Sequence, residues 1–184
     1  MGSIGESALE HPDSDSLQIE RVEAATNPVV QDLAALLVDA IDSGAGISFM
    51  AGVQLDDAAA WWHEKLSAMT TRTVLLVARD EHGLVGTVQL LPSWAPNQPH
   101  RADVAKLIVH RRARGRGVAR ALMQALEAHA REQGFTLLLL DTCKGTAAER
   151  LYGSLGWIRV GEVPHFALNP DRTWCDTVFF YKQL

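Results

Sequence analysis

Arg112-Ala-Arg-Gly-Arg-Gly-Val-Ala119 lies between two apolar segments of different period. Before it, Val104-Ala-Lys-Leu-Ile-Val109 reads as a strand. After it, residues 118–133 carry apolar side chains at helical spacing. A strand, a basic glycine turn and a helix start together form a seat for a phosphate. Gly115 and Gly117 allow the backbone to turn tightly and bring its N–H groups close to an anion. The unpaired N–H groups of the first helical turn, at Val118, Ala119 and Arg120, favour negative charge, as does the helix macrodipole. Arg112, Arg114 and Arg116 add positive charge around the turn. The ligand this predicts is a pyrophosphate.

The flanking sequence supplies a fold for this turn. Leu17-Gln-Ile-Glu-Arg-Val-Glu alternates as a strand does, and Asn27-Pro28 opens a helix that runs to Ile41 with Leu33, Leu36, Leu37 and Ala40 on one face. A glycine-rich connection over 43–52 follows, then a helix capped by Asp56-Asp57 that carries Trp61, Trp62 and Leu66. Residues 73–79 and 84–91 are strands joined by Asp80-Glu-His-Gly83, a hairpin. Gly134 stops the helix after the basic turn, and Phe135-Thr-Leu-Leu-Leu-Leu-Asp141 is a strand of buried type. A short amphipathic helix over 147–155 and two last strands at 157–161 and 177–181 complete the order β-α-α-β-β-β-α-β-α-β-β. That order predicts an α/β fold, a mixed sheet of six or seven strands with helices on both faces.

Composition bounds the function. At 184 residues, 47% hydrophobic and 21% charged, the chain fits one globular domain over 16–184, with a floppy acidic leader expected at 1–15. A net charge of −5 argues against nucleic-acid binding, and no apolar run is long enough to span a membrane. An acidic body with one basic loop suits an anionic cofactor on one side and a cationic substrate on the other. The two cysteines, Cys143 and Cys175, have no CxxC or metal spacing and read as reduced thiols of a cytoplasmic protein, Cys143 as a small buried filler. A homodimer is compatible with the sequence.

The turn departs from two familiar phosphate motifs. A Rossmann GxGxxG needs glycine where Arg120 stands, and Lys144-Gly145-Thr146 is in the wrong order for a P-loop. Arg112-x-x-Gly115-x-Gly117 resembles the [QR]xxGx[GA] signature of the GCN5-related N-acetyltransferases. Lys106-Leu-Ile-Val109 is similar to that family's fourth strand, and Ala148-Glu-Arg-Leu-Tyr152-Gly-Ser-Leu-Gly156-Trp157 resembles its A…Y…xxGF segment, with Trp for Phe. The resemblance spans about 17–184 and implies acetyl-coenzyme A as cofactor. A narrower likeness to the tabtoxin-resistance acetyltransferases rests on Gly44-Ala-Gly-Ile-Ser-Phe-Met, Arg101-Ala-Asp-Val-Ala-Lys-Leu-Ile-Val, Leu140-Asp-Thr and Arg159-Val-Gly-Glu-Val-Pro. It implies a small amino-acid-like toxin, antibiotic or metabolite as acceptor, acetylated by direct attack in a ternary complex. Asp103 stands where that group has a glutamate, and Lys144 replaces an acidic residue.

Acetylating an amine requires a neutral nucleophile, support for the thioester oxygen as it turns anionic, and a proton for the leaving thiolate. Asp103 and Asp141 lie near the ends of neighbouring strands and form a candidate carboxylate pair for removing the amine proton through water. Singly, Asp141 also fits a strand-end cap or turn former, and Asp103 a solvated edge charge. The resemblance further implies that the backbone of Leu107, Ile108 and Val109 holds the pantetheine arm, with an N–H near Val109 supporting the oxygen. It implies that Tyr152 is the acid and that Ser48, Phe49 and Met50 contact the acceptor. His110 reads as a surface residue, and Trp61 and Trp62 as core and helix-face residues. Two alternatives remain: a protein acetyltransferase acting on lysines or N-termini, and a non-catalytic acyl-coenzyme A-binding module.

Overall fold

In the computed structural model, which describes residues 17–184, seven strands form one sheet in the order β1-β2-β3-β4-β5-β7-β6. The strands are β1 (Gln18–Arg21), β2 (Val74–Asp80), β3 (Gly83–Pro92), β4 (Arg101–Val109), β5 (Leu137–Cys143), β6 (Ile158–Leu168) and β7 (Trp174–Gln183). The helices are α1 (Asn27–Asp42), α2 (Leu55–Ser67), α3 (Val118–Glu132) and α4 (Ala147–Ser154). All neighbouring strands run antiparallel except β4 and β5, which are parallel. The expected mixed α/β sheet is therefore present. The leader expected at 1–15 lies outside the described residues. Among those described, no helix is long and apolar enough to cross a membrane.

Alternation along β2 divides the core into two layers. Val74, Leu76 and Ala78 face Leu122, Met123 and Leu126 of α3, while Leu75 and Val77 face Leu33, Leu37 and Trp62 of α1 and α2. α3 can lie close to the sheet because position 86 is glycine. A Cβ there would come within 2.9 Å of Leu122 Cδ1, 3.0 Å of Val118 Cγ1 and 3.1 Å of the Ile108 carbonyl oxygen. Side chains then fasten the helix along its length. Glu127 is buried and accepts from Trp157 Nε1 at 3.1 Å and Lys182 Nζ at 2.6 Å, and Lys182 also donates to the Leu155 carbonyl at 2.8 Å. Close packing at Gly86 thus sets the start of α3 against β3 and β4, while Glu127 ties its later turns to β7.

Several boundaries differ from expectation. The cap of α2 is Gln54, with Asp56 and Asp57 inside the first turn, where they favour the helix dipole. The last two strands extend far beyond 157–161 and 177–181, and almost every residue of β6 is exposed. An edge strand open on both faces carries no burial alternation to read, so its length was hidden. The cysteines differ most. Cys143 and Cys175 are joined in a disulfide, with Cα atoms 5.9 Å apart, rather than standing as two thiols. β5 and β7 are antiparallel neighbours that set Cys143 opposite Thr177, two residues from Cys175. A separation of 32 residues in the chain conceals that proximity. The bond also removes cysteine usage as an argument for a reducing compartment.

Candidate active site

β4 and β5 pair only at their first three residues, Arg101 with Leu137, Ala102 with Leu138 and Asp103 with Leu139. Beyond that point the two strands separate, and residues 104–109 keep a hydrogen-bonded neighbour only in β3. The backbone edge of β4 that faces β5 is thus open where Leu107, Ile108 and Val109 lie. A bulge interrupts β4 within the same stretch. Ala105 pairs with Gln89 and Ile108 with Thr87, so Lys106 and Leu107 stand opposite the single residue Val88. Lys106 takes the strain of the bulge, with φ at +52°, a left-handed conformation that costs a non-glycine residue roughly 1 kcal/mol or more.

The basic turn follows the end of β4 through a 3-10 turn, Arg111–Ala113. His110 caps it, its Nδ1 accepting from the Arg112 N–H at 3.1 Å, so this residue is part of the turn's scaffold. Gly115 and Gly117 have φ of +80° and +81°, and Gly117 is the N-cap of α3. Apart from the adjoining residues of the chain, nothing lies within 4 Å of where a Cβ would stand at either position, so the turn is open to a ligand brought against the backbone.

The arginines around the turn also reach protein partners. Arg112 donates to Asp80 through two nitrogens, at 2.7 and 3.0 Å, and Arg116 approaches the same carboxylate at 3.3 Å. Arg114 donates to Ser43 Oγ and to the Val109 carbonyl, and Arg120 donates to Ser154 Oγ at 2.8 Å. These side chains brace the turn against α1, α4 and the β2–β3 turn. Asp80 was read from the sequence only as a turn residue. Its buried side chain is the counter-ion of the turn, and the Arg112 hydrogen bonds lower its pKa to about 2 from an ordinary 3.8. Asp80→Asn should cost about 2 kcal/mol of stability at pH 7, the scale of charge-assisted hydrogen bonds. A depressed carboxylate pKa stabilises the fold above the unfolded value, so the difference should vanish as pH falls from 3.8 through about 2. Urea unfolding of both proteins at pH 7 and near pH 2 measures it.

Asp103 and Asp141 do come together. Asp103 pairs with Leu139, and Asp141 follows two residues later on the same face of β5, the face that carries α1 and α2. Burial pushes the Asp103 carboxyl above the usual range, and Arg101, 3.2 Å away, opposes this. Asp141 opens to the cleft, yet surrounding protein raises its pKa, Lys106 lowers it and Asp103 raises it again. Tyr152 sits on α4, started by Thr146, whose Oγ accepts from the Glu149 N–H while Glu149 accepts from Gly145 N. Its ring is buried against Trp157 and Phe180 at centroid distances of 6.0 and 5.9 Å. Burial, helped by the Asp141 charge, raises the phenol pKa well above 10.

The connection at 43–52 forms the opposite wall. Ser48, itself at φ +75°, accepts from Lys106 Nζ at 3.1 Å, Phe49 meets Trp61 edge-on at 5.2 Å, and Met50 is exposed. Trp62 is fully buried as expected, whereas Trp61 is only half-buried and belongs to this wall. Lys106, which the sequence gives no site role, reaches this wall. Its signal was a lone lysine inside an apolar strand. The wall closes onto the β6–β7 hairpin, where Ala51 N donates to the Pro170 carbonyl at 3.2 Å and a Cβ on Gly46 would come within 3.3 Å of Cys143 and Asn169. Beside the disulfide, a cavity of about 470 Å³ is lined by Lys144, His165, Trp174 and Asp176.

Residues 37–157 match the model of the acetyltransferase (GNAT) family. An uncharacterised N-acetyltransferase of Azospirillum brasilense is 30% identical over 125 residues, 67% of this chain and 73% of that one. Human N-acetyltransferase 8B is 38% identical over 88 residues, 47% of this chain, which spans only 39% of that protein's length. Among solved structures, a ribosomal-protein-alanine N-acetyltransferase from Brucella melitensis superposes with a TM-score of 0.75 at 25% identity, over 91% of this chain and 99% of that one. A Salmonella typhimurium chain solved with its cofactor acetyl-CoA gives 0.74 at 20% identity, over 91% and 94%.

Proposed function

The chain belongs to the acetyltransferase (GNAT) family, and we propose that it is an acetyl-CoA-dependent N-acetyltransferase whose acceptor is the amine of a small, amino-acid-like toxin, antibiotic or metabolite. The observation that carries this reading is the closure of the acceptor side. The 43–52 connection is tied to β4 by Lys106 and to the hairpin by the Ala51–Pro170 hydrogen bond. A cleft walled in this way suits a small molecule better than a polypeptide threaded through it.

The residues fit the cofactor at two places. The open left-handed glycines and the N-terminus of α3 can receive a pyrophosphate, and the edge of β4 at 107–109 that β5 leaves open offers backbone groups to pantetheine amides. Acetyl-CoA, when bound, supplies the thioester carbonyl and the leaving thiolate. Backbone N–H groups near Val109 support the carbonyl oxygen as charge builds there. Asp103 and Asp141, with pKa values raised toward the working range, take the amine proton through water before direct attack in a ternary complex. Tyr152 stays protonated and donates toward the thiolate. Ser48, Phe49 and Met50 line the acceptor's approach.

Two measurements test this. Purified protein, acetyl-CoA and a panel of amino acids, other small amines and peptides should release coenzyme A fastest with an amino-acid-like amine, and release confined to peptides would sink the acceptor assignment. Asp103→Asn combined with Asp141→Asn should move the pH optimum upward by about one unit or more, because the amine must then lose its proton to bulk water near its own higher pKa. An unmoved profile would place the base elsewhere. The likeness to the ribosomal-protein-alanine N-acetyltransferase favours a second reading, a protein N-terminus as acceptor, which the peptides in the panel examine.

A further inference from the structure

Position 106 should face α3. Ala105 shares the face of Asp103, and strict alternation would send the next side chain to the opposite side of the sheet. The bulge and the left-handed turn at Lys106 reverse that direction. Its Nζ instead donates to the Ile47 carbonyl and to Ser48 Oγ, both at 3.1 Å, and stands 5.7 Å from the Phe49 ring and 5.5 Å from Trp61. A long cation has thus been turned into the cleft by a strained backbone and held there by four contacts.

We propose that Lys106 is a positioning residue that fastens the acceptor wall to β4 and sets its ammonium on the sheet face that carries Asp103 and Asp141, a role that rests on the reaction proposed above. Around Asp141, the groups that act are Lys106 and Asp103 of β4 and Tyr152 of α4. Asp103 opposes ionisation of Asp141 and is itself matched by Arg101, while the buried phenol is neutral. Among the groups whose charge shifts Asp141, the cation is Lys106. Lys65 of α2 lies over the other reach of Trp61, 5.8 Å from the ring, and its charge works against that of Lys106. Burial lowers the pKa of the ammonium, and Asp141 offsets part of that effect. One side chain therefore couples the geometry of the acceptor wall to the charge of the candidate base.

The test needs no acceptor. Carboxyl-carbon NMR titration of the full chain, with Asp141 assigned through Asp141→Asn, should show the Asp141 dissociation constant falling at least threefold in Lys106→Met and returning in Lys106→Arg. Amide exchange at residues 47–50 should quicken about tenfold in Lys106→Met, and also in Ser48→Ala, which leaves the Asp141 titration unchanged. An Asp141 midpoint that stays in place in folded Lys106→Met overturns the proposal, as does unchanged exchange. If Lys106→Met does not fold, Lys106→Gln removes the charge with a polar side chain and is read the same way. These readouts stand even if no amine is acetylated, so the failure of the proposed function and the failure of this inference are separable.

Discussion

Gly117→Glu should weaken coenzyme A binding at least a hundredfold while leaving the fold intact. Gly117 is the N-cap of α3 at φ +81°, a conformation that costs an L-residue about 1–2 kcal/mol. Space is not the difficulty, because nothing lies within 4 Å of a Cβ there. The carboxylate is, since it would stand at the positive end of the helix that is the proposed pyrophosphate seat. Two like charges about 4 Å apart repel by about 4 kcal/mol at an intermediate effective dielectric, and by about 1 kcal/mol in bulk water. Even about 3 kcal/mol in total is more than a hundredfold in affinity. The same carboxylate favours the helix dipole, which offsets part of the backbone strain in the free protein. Gly117→Ala separates the effects, for it carries the strain alone and should lose no more than about tenfold. Calorimetric titration with coenzyme A, beside thermal melts of each variant, measures both. Wild-type affinity in Gly117→Glu would remove the phosphate assignment.

What the sequence made legible follows from how locally each feature is encoded. The strand–turn–helix around Gly115 and Gly117 is contiguous, so glycine spacing and helical period suffice to place it. The Asp103 and Asp141 pairing was readable because both lie on strands that the β-α-β order makes parallel neighbours. Features that depend on contacts distant in sequence were hidden. Asp80 is far along the chain from Arg112, and its acidic side chain in a hairpin turn has an ordinary local explanation. Lys106 reads as an interruption in an apolar strand until the bulge shows which way it points. Cys143 and Cys175 meet only because β7 inserts between β5 and β6, an order that the chain sequence does not announce. The arginine-rich loop reads as a turn from its glycines, while the protein partners that its arginines reach lie far along the chain and leave no local signal.

Tyr152→Phe should lower turnover about a hundredfold with little change in coenzyme A affinity. The ring contributes to the core against Trp157 and Phe180, and phenylalanine keeps those contacts, so stability should hold within about 1 kcal/mol. Only the hydroxyl is lost. Burial and the Asp141 charge both disfavour the phenolate, so the group is protonated at any working pH and can act only as a donor. Removing one positioned acid or oxyanion-type donor costs about 10²–10³ in rate. The direction of the pKa shift adds a second check. Because Tyr152 titrates above the ordinary value of 10, any alkaline fall in activity below that pH comes from another group, and its midpoint should be the same in wild type and Tyr152→Phe. A domain that only binds acyl-coenzyme A would show no turnover to lose, and the substitution would then register in affinity alone. Wild-type turnover in Tyr152→Phe would leave the thiolate to be protonated by water and would take this residue out of the chemistry.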